Sequence, residues 1–172
     1  MSDVTRHART IAEQCACIRT RQASRALTRL YDDALRESGL LVSQLSVLVA
    51  VALYGEAGAS IGELAATLVL ERTTLTRNLR PLEEAGWIRV ARSPADARAR
   101  IVLLTRSGEA AIEKAVPLWQ RAQRHVAQAV GARALDDYKS RLRRVIDTLV
   151  EGESTVARAP AGPARPVRRR PR

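Results

Sequence analysis

SIGELAATLVLERTTLTRNLRPLEEAGWIRVARSPADARARIVLLTRSG, residues Ser60 to Gly108, is helical in period at its start and alternating at its end. Ser60 with Glu63 forms a Ser-x-x-Glu capping box, which satisfies orphan amides where a helix begins. Ile61, Leu64, Ala65 and Leu68 follow at i, i+3, i+4 and i+7, one face of a helix that needs a partner. Leu75, Leu79 and Leu82 repeat that spacing in a second helix, expected over Arg72 to Ala85. Two short helices joined by a brief turn predict a helix-turn-helix.

Beside the leucine stripe of the second helix, Arg72, Thr73, Thr76, Arg77 and Arg80 fan over an arc of about 140°. A helix fits the major groove of a duplex, where arginine can fork onto guanine and threonine can meet base edges or phosphate. Pro81 offers no amide to the Arg77 carbonyl, so a kink is expected there, with the groove-reading half before it. After Gly86, the residues Trp87 to Arg92 and Arg100 to Leu104 alternate as strands, joined by Ser93 to Ala99. The hairpin brings Arg92 towards its tip. Arg98 would enter a minor groove, with Asp96 two residues before it as an anchor. Together these elements predict a winged helix.

The run LEEAGWI, the pair Asp96-x-Arg98 and the motif Leu104-Thr105-x-x-Gly108 resemble, in order and spacing, the multiple-antibiotic-resistance regulator (MarR) family. The resemblance extends over residues 16–150. It implies a homodimeric transcription regulator, with a winged-helix reading head on each subunit and double-stranded operator DNA as partner. It also implies phenolic or aromatic carboxylate effectors that enter between the dimer helices and the head.

Outside the head, Ile18, Ala23, Leu27, Leu30 and Ala34 predict one long helix from Ile11 to Glu37, stopped at Gly39 and suited to dimerisation. Ser43 is expected to cap a bracing helix with Leu45, Leu48, Val49 and Ala52 as its stripe, before the turn GEAGAS. Thr105 is expected to cap a helix carrying Ile112, Val116, Trp119, Val126 and Val130, bent at Pro117. Leu135, Tyr138, Leu142, Val145 and Leu149 form a seam on the last helix, able to meet a partner chain or simply to pack within one subunit. The expected fold is mainly α with a small β-hairpin wing. Its parts are an N-terminal arm and dimerisation helix over 1–40, the winged helix-turn-helix over 41–106, dimerisation helices over 107–150, and a disordered, proline-rich basic tail over 151–172.

The chain has 172 residues and carries 29 basic against 18 acidic side chains, a net +11 that favours polyanions such as nucleic acid. The tail accounts for +4 of this, from six arginines and two glutamates, so most of the excess lies on the folded part. No apolar run long enough for a membrane span occurs, and the amino terminus lacks the apolar core of a secretory signal, so a cytoplasmic protein is expected. His7 and His125 have no ligand-spaced companions, and phosphate-loop and nucleophile-elbow motifs are absent, so neither metal, cofactor nor catalysis is expected. The doublets Asp32-Asp33, Glu83-Glu84 and Asp136-Asp137 read as surface pairs.

Cys15 and Cys17, two apart on the expected helix, face different directions and cannot staple the fold. Arg19, Arg21 and a nearby helix start could favour the Cys17 thiolate. Its register with Tyr31 and Gln44 resembles the peroxide-sensing cysteine of organic-hydroperoxide-resistance repressors within the same family, although Arg21 and Val42 stand at two further tyrosine positions. Redox sensing at Cys17 and Tyr31 therefore stands beside the structural reading of a packing cysteine. Two rivals remain: a sequence-tolerant architectural nucleic-acid protein, for which charge alone would suffice, and a thiol peroxidase using Cys17.

Overall fold

The computed structural model describes residues 2–93 and 99–156, with side chains to residue 150. Asp96, Arg98 and the tail over 157–172 lie outside the described residues. The described residues fall into two compact units, divided between Ala129 and Val130.

The first unit begins with α1 (Asp3–Gln14) and α2 (Ala16–Leu35). The expected single helix is thus broken at Cys15, whose backbone is extended at φ −74° and ψ 108°. Neither glycine nor proline marks this break. No residue of α1 is buried, and Ile18, Ala23, Leu27, Leu30 and Ala34 of α2 are only half-buried. A 3-10 turn, Arg36–Ser38, leads to Gly39 and then to α3 (Val42–Ala52).

Capping of α3 departs from the expected Ser43, which lies inside the helix. The cap is Leu41: its amide donates to Gln44 Oε1 at 2.9 Å, and the Val42 amide donates to Asp32 Oδ1 at 2.7 Å. A half-buried carboxylate ten residues upstream does the work that a local hydroxyl was expected to do.

Residue Ser60 caps α4 (Ile61–Thr67) as its sequence implies: the Glu63 amide donates to Ser60 Oγ at 3.1 Å, and the Ser60 amide donates to Glu63 Oε2 at 2.8 Å. The Ser60 side chain, then its amide, holds the Glu63 carboxyl below the ordinary glutamate range. Its contribution to stability is present above the ordinary pKa and fades as pH falls through the lowered one.

The turn to α5 (Arg72–Glu84) is a Schellman motif, with Leu70 N–H to Ala65 O at 2.8 Å and Val69 N–H to Ala66 O at 3.1 Å. Its left-handed position holds Val69 at φ 51°, strained for a β-branched residue. The other end of α5 uses the same motif with Gly86 at φ 73°, where glycine carries no such penalty. The helix continues through Pro81 to Glu84.

Strands β2 (Ile88–Arg92) and β3 (Arg100–Leu104) form the expected antiparallel hairpin. A two-residue strand the sequence did not announce, β1 (Ala59–Ser60), pairs with the other edge of β3 and gives the order β1-β3-β2. β1 joins the approach to α4 directly to the wing sheet.

Leu48, Val51, Leu64, Leu75, Leu82 and Val102 are fully buried together, so α3, α4, α5 and the sheet share one core. From this core emerges α6 (Arg106–Val130), which buries Gly108, Ala115, Leu118, Ala122 and Val126. Of the expected α6 stripe only Val126 is buried; Ile112 is half-buried, and Val116, Trp119 and Val130 are exposed.

In the second unit, α7 (Ala132–Val156) takes in residues 151–156, which the sequence reading gave to the tail. Its seam is buried at Leu135, half-buried at Tyr138 and Leu142, and exposed at Val145 and Leu149. Among the described residues no single helix is long and apolar enough to cross a membrane.

Candidate nucleic-acid interface

Burial of Leu75, Leu79 and Leu82 fixes how α5 is rotated, and every other described side chain from Arg72 to Glu84 is exposed. At about 100° per residue, Thr73, Arg77 and Arg80 lie opposite the leucine stripe, while Arg72 and Thr76 lie on one flank. Thr74 and Asn78, which the sequence reading left out, are exposed on the same helix and complete its outer surface.

The exposed residues are not equally available. Arg80 Nε donates to Glu84 Oε1 at 2.8 Å, a surface pair that a phosphate can displace at little cost. Thr76 Oγ1 donates to the Arg72 carbonyl at 2.8 Å and keeps only its acceptor side for a ligand. Arg72 leans back over the first turn of α4, with a guanidinium nitrogen 3.2 Å from where a Cβ on Gly62 would stand. Arg77 has no ion-pair partner among the described residues.

The wing is tied to this helix. Glu83 Oε1 accepts the Val90 amide at 3.2 Å, covering an amide on the edge strand β2. Thr105 Oγ1 donates to the Gly86 carbonyl at 2.6 Å and accepts the Gly108 amide at 3.1 Å, so one hydroxyl caps α6 and closes the α5–β2 turn. Ser107 Oγ donates to the same Gly86 carbonyl at 2.6 Å. Arg92 is exposed at the end of β2, opposite Arg100, another exposed arginine, which the sequence places at the start of a strand and not among the DNA contacts. The loop that holds Asp96 and Arg98 is outside the described residues.

Of the acidic doublets, Asp32 and Glu83 cap backbone amides, whereas Asp33, Glu84 and Asp136 pair with Arg36, Arg80 and Lys139. Among the described residues no cluster of three histidine, cysteine or carboxylate side chains could hold a metal ion. Cys17 is exposed at the second position of α2, and Cys15 is half-buried at the helix break, so the two do not share one helix. Tyr31 donates its hydroxyl to Gln123 Oε1 and stands fourteen residues along α2 from Cys17, about 21 Å by helical rise. Within one protomer Tyr31 is therefore not a neighbour of the Cys17 sulfur.

A cavity of about 400 Å³ lies between α3 and α6, lined by Val42, Leu45, Ser46, Val49, Ile112, Val116 and Trp119. Its lining is mostly apolar; the Ser46 hydroxyl donates to the Val42 carbonyl at 2.8 Å, and Trp119 brings an indole N–H.

The sequence model of the MarR family matches residues 38–99. The chain is similar to the DNA complex of the transcriptional regulator MosR of M. tuberculosis, at 40% identity and a TM-score of 0.67, over 85% of this chain and 100% of that one. An uncharacterized HTH-type transcriptional regulator of Bacillus subtilis (strain 168), YwoH, is 32% identical over 93 residues, which is 54% of this chain and 66% of that relative, just under two thirds of its length. A mutant of E. coli MarR complexed with operator DNA shares the fold, at a TM-score of 0.70 and 24% identity, over 78% of this chain and 96% of that one.

Proposed function

This chain belongs to the MarR family of DNA-binding transcription regulators, and from that premise we propose that it is a cytoplasmic homodimeric repressor of a pseudo-palindromic operator. The observation that carries the proposal is the outer face of α5, where Thr73, Arg77 and Arg80 are exposed behind a fully sequestered leucine stripe. Arg72, Thr73, Thr76, Arg77 and Arg80 address the major groove, and Arg92, Asp96 and Arg98 belong to a wing that addresses the adjacent minor groove. Exposed apolar residues on the terminal helices support dimerisation: Ile11 is 58% exposed on α1 and Leu149 is 64% exposed on α7. A two-fold dimer places its heads on half-sites about one helical turn apart.

Release follows when an effector binds one dimer shape more tightly than the other. The cavity between α3 and α6 suits the aromatic ring of such an effector. Its lining holds no cation to pair with a carboxylate, so a neutral phenolic ligand fits it better than an aromatic carboxylate.

Selection of duplexes from a random pool by the full-length protein tests the proposal. The expected result is two inverted half-sites bound by a species of twice the 18.9 kDa chain mass. Equal affinity for every duplex would instead establish the architectural alternative.

Oxidation at Cys17 is a second input, supported by its exposure at the start of α2. The thiolate would attack the distal oxygen of a hydroperoxide, breaking the O–O bond to give the sulfenate and an alcohol, and the sulfenate takes a proton from water to become the sulfenic acid. Hydroperoxide-induced release from DNA is then expected to disappear in Cys17→Ser and persist in Cys15→Ser. Release by Cys17→Ser at the wild-type level removes Cys17 as a sensor and leaves it an exposed thiol at the start of α2.

A further inference from the structure

The last residue pair of strands β2 and β3 places Arg92 directly opposite Arg100, both exposed, one rung inside the Ser93–Ala99 hydrogen bond. The Ser93 amide donates to the Ala99 carbonyl at 2.9 Å and the Thr105 amide to the Trp87 carbonyl at 3.1 Å, so the odd-numbered residues of β2 occupy the hydrogen-bonded rungs. Arg92 and Arg100 therefore form a non-hydrogen-bonded rung, where facing side chains approach most closely. Like charges in this position destabilise the strand pair. Neither arginine has an ion-pair partner among the described residues, and residues 92–100 contain three arginines against the single carboxylate of Asp96. An anion held between the two guanidinium groups would turn this repulsion into attraction, and arginine's planar fork matches phosphate oxygens.

We infer that Arg92 and Arg100 are a clamp for one phosphodiester of the DNA backbone beside the wing. This inference rests on the DNA-binding reading, and it makes Arg100 a contact residue through charge and register rather than base recognition. The rung that weakens the hairpin in the free protein strengthens it on DNA. Wing stability and DNA affinity are thus tied with opposite sign.

The test uses the full-length protein and its selected duplex, with Arg92→Gln, Arg100→Gln, the double variant, and Arg77→Ala as a control. Each single clamp variant is expected to bind more weakly by the same factor on every duplex. The two single losses should sum to more than the loss in the double variant, because repulsion in the free protein is relieved once. The double variant should flatten log affinity against log salt by about 1, one phosphate's worth.

Without DNA, each single variant should have a Tm at least as high as wild type at low salt, an advantage that shrinks at high salt. Additive losses with a separate slope change for each arginine would mean two independent phosphates and overturn the clamp. Wild-type binding by the double variant, or a lower Tm in both singles, also overturns it. Inorganic phosphate at matched ionic strength should raise the Tm of the DNA-free wild type more than that of the double variant; an equal effect on both would show that the arginine pair does not hold phosphate and would overturn the clamp. If Arg77→Ala loses binding while both clamp variants keep it, the clamp fails and the DNA-binding reading stands. Failure of the wild type to bind any duplex removes that reading itself.

Discussion

Gly108→Ala is expected to destabilise the protein by about 3 kcal/mol, the upper end for overpacking a well-filled site. The sign makes this a strong test, because alanine inside a helix ordinarily gains about 1 kcal/mol over glycine. At Gly108 the added Cβ would stand 2.1 Å from the Trp87 carbonyl oxygen and 2.8 Å from Leu104 Cδ1. Backbone cannot swing aside as a flexible side-chain end can. The first turn of α6 is also held in place, since Thr105 accepts the Gly108 amide and its backbone amide donates to the same Trp87 carbonyl at 3.1 Å. Relief must move α6 or the start of β2, and β2 begins one residue after Trp87. A lower urea midpoint with an unchanged m value is therefore expected, together with weaker operator binding as the wing shifts. A midpoint at or above wild type would show that the close approach of α6 to β2 is not what this glycine provides.

The same position explains why Leu104-Thr105-x-x-Gly108 is informative as a sequence motif. Thr105 supplies a cap and a carbonyl clasp, and Gly108 supplies the space that lets the clasp close. The Ser60-Glu63 box and the Gly86 stop were legible for a similar reason: each is satisfied by groups within a few residues, so spacing carries the structure. What the sequence concealed depends on distant partners or on residues without strong local preference. Asp32 displaces Ser43 from the capping role only because α2 brings it to the start of α3. β1 is two residues long and exists through its pairing with β3, so no alternating pattern could announce it. Val69 occupies a left-handed turn position that a glycine would have advertised, and Cys15 ends a helix without a breaker.

Legibility of the candidate site was similarly uneven. The leucine spacing of α5 was sufficient to orient its outer face, because burying three leucines leaves one possible rotation. Individual availability was not legible. Spacing treated Arg72, Arg77 and Arg80 as equivalent cations, whereas their surroundings distinguish them: Arg72 meets Gly62 of another helix, and Arg80 meets Glu84 of its own. Arg100 read as an ordinary strand start, and its meaning came only with the register that sets it opposite Arg92.

These surroundings make Arg77→Ala the largest expected loss among the α5 variants. Arg77 lies about 200° around the helix from Leu75, away from the core, with no ion-pair partner among the described residues. Its fork can meet guanine O6 and N7 without first leaving another contact. Truncation should cost about 1 to 3 kcal/mol on the selected operator and relax base choice at one position in each half-site. Arg72→Ala tests the other arginine of the major-groove face: its guanidinium lies near Gly62 of α4, and relaxed base choice would place it on a base edge, whereas a uniform loss with a flatter salt slope would place it on phosphate. Arg77→Lys separates charge from geometry, since lysine keeps the positive charge but not the bidentate fork. It should retain affinity for random duplex and lose preference at the contacted base. Affinities of wild type and the three variants for the operator, its single-base variants and random DNA, taken across salt, decide among these outcomes. A uniform loss for Arg77→Ala would reassign it to phosphate, and unchanged binding by both alanine variants would remove α5 as the reading helix.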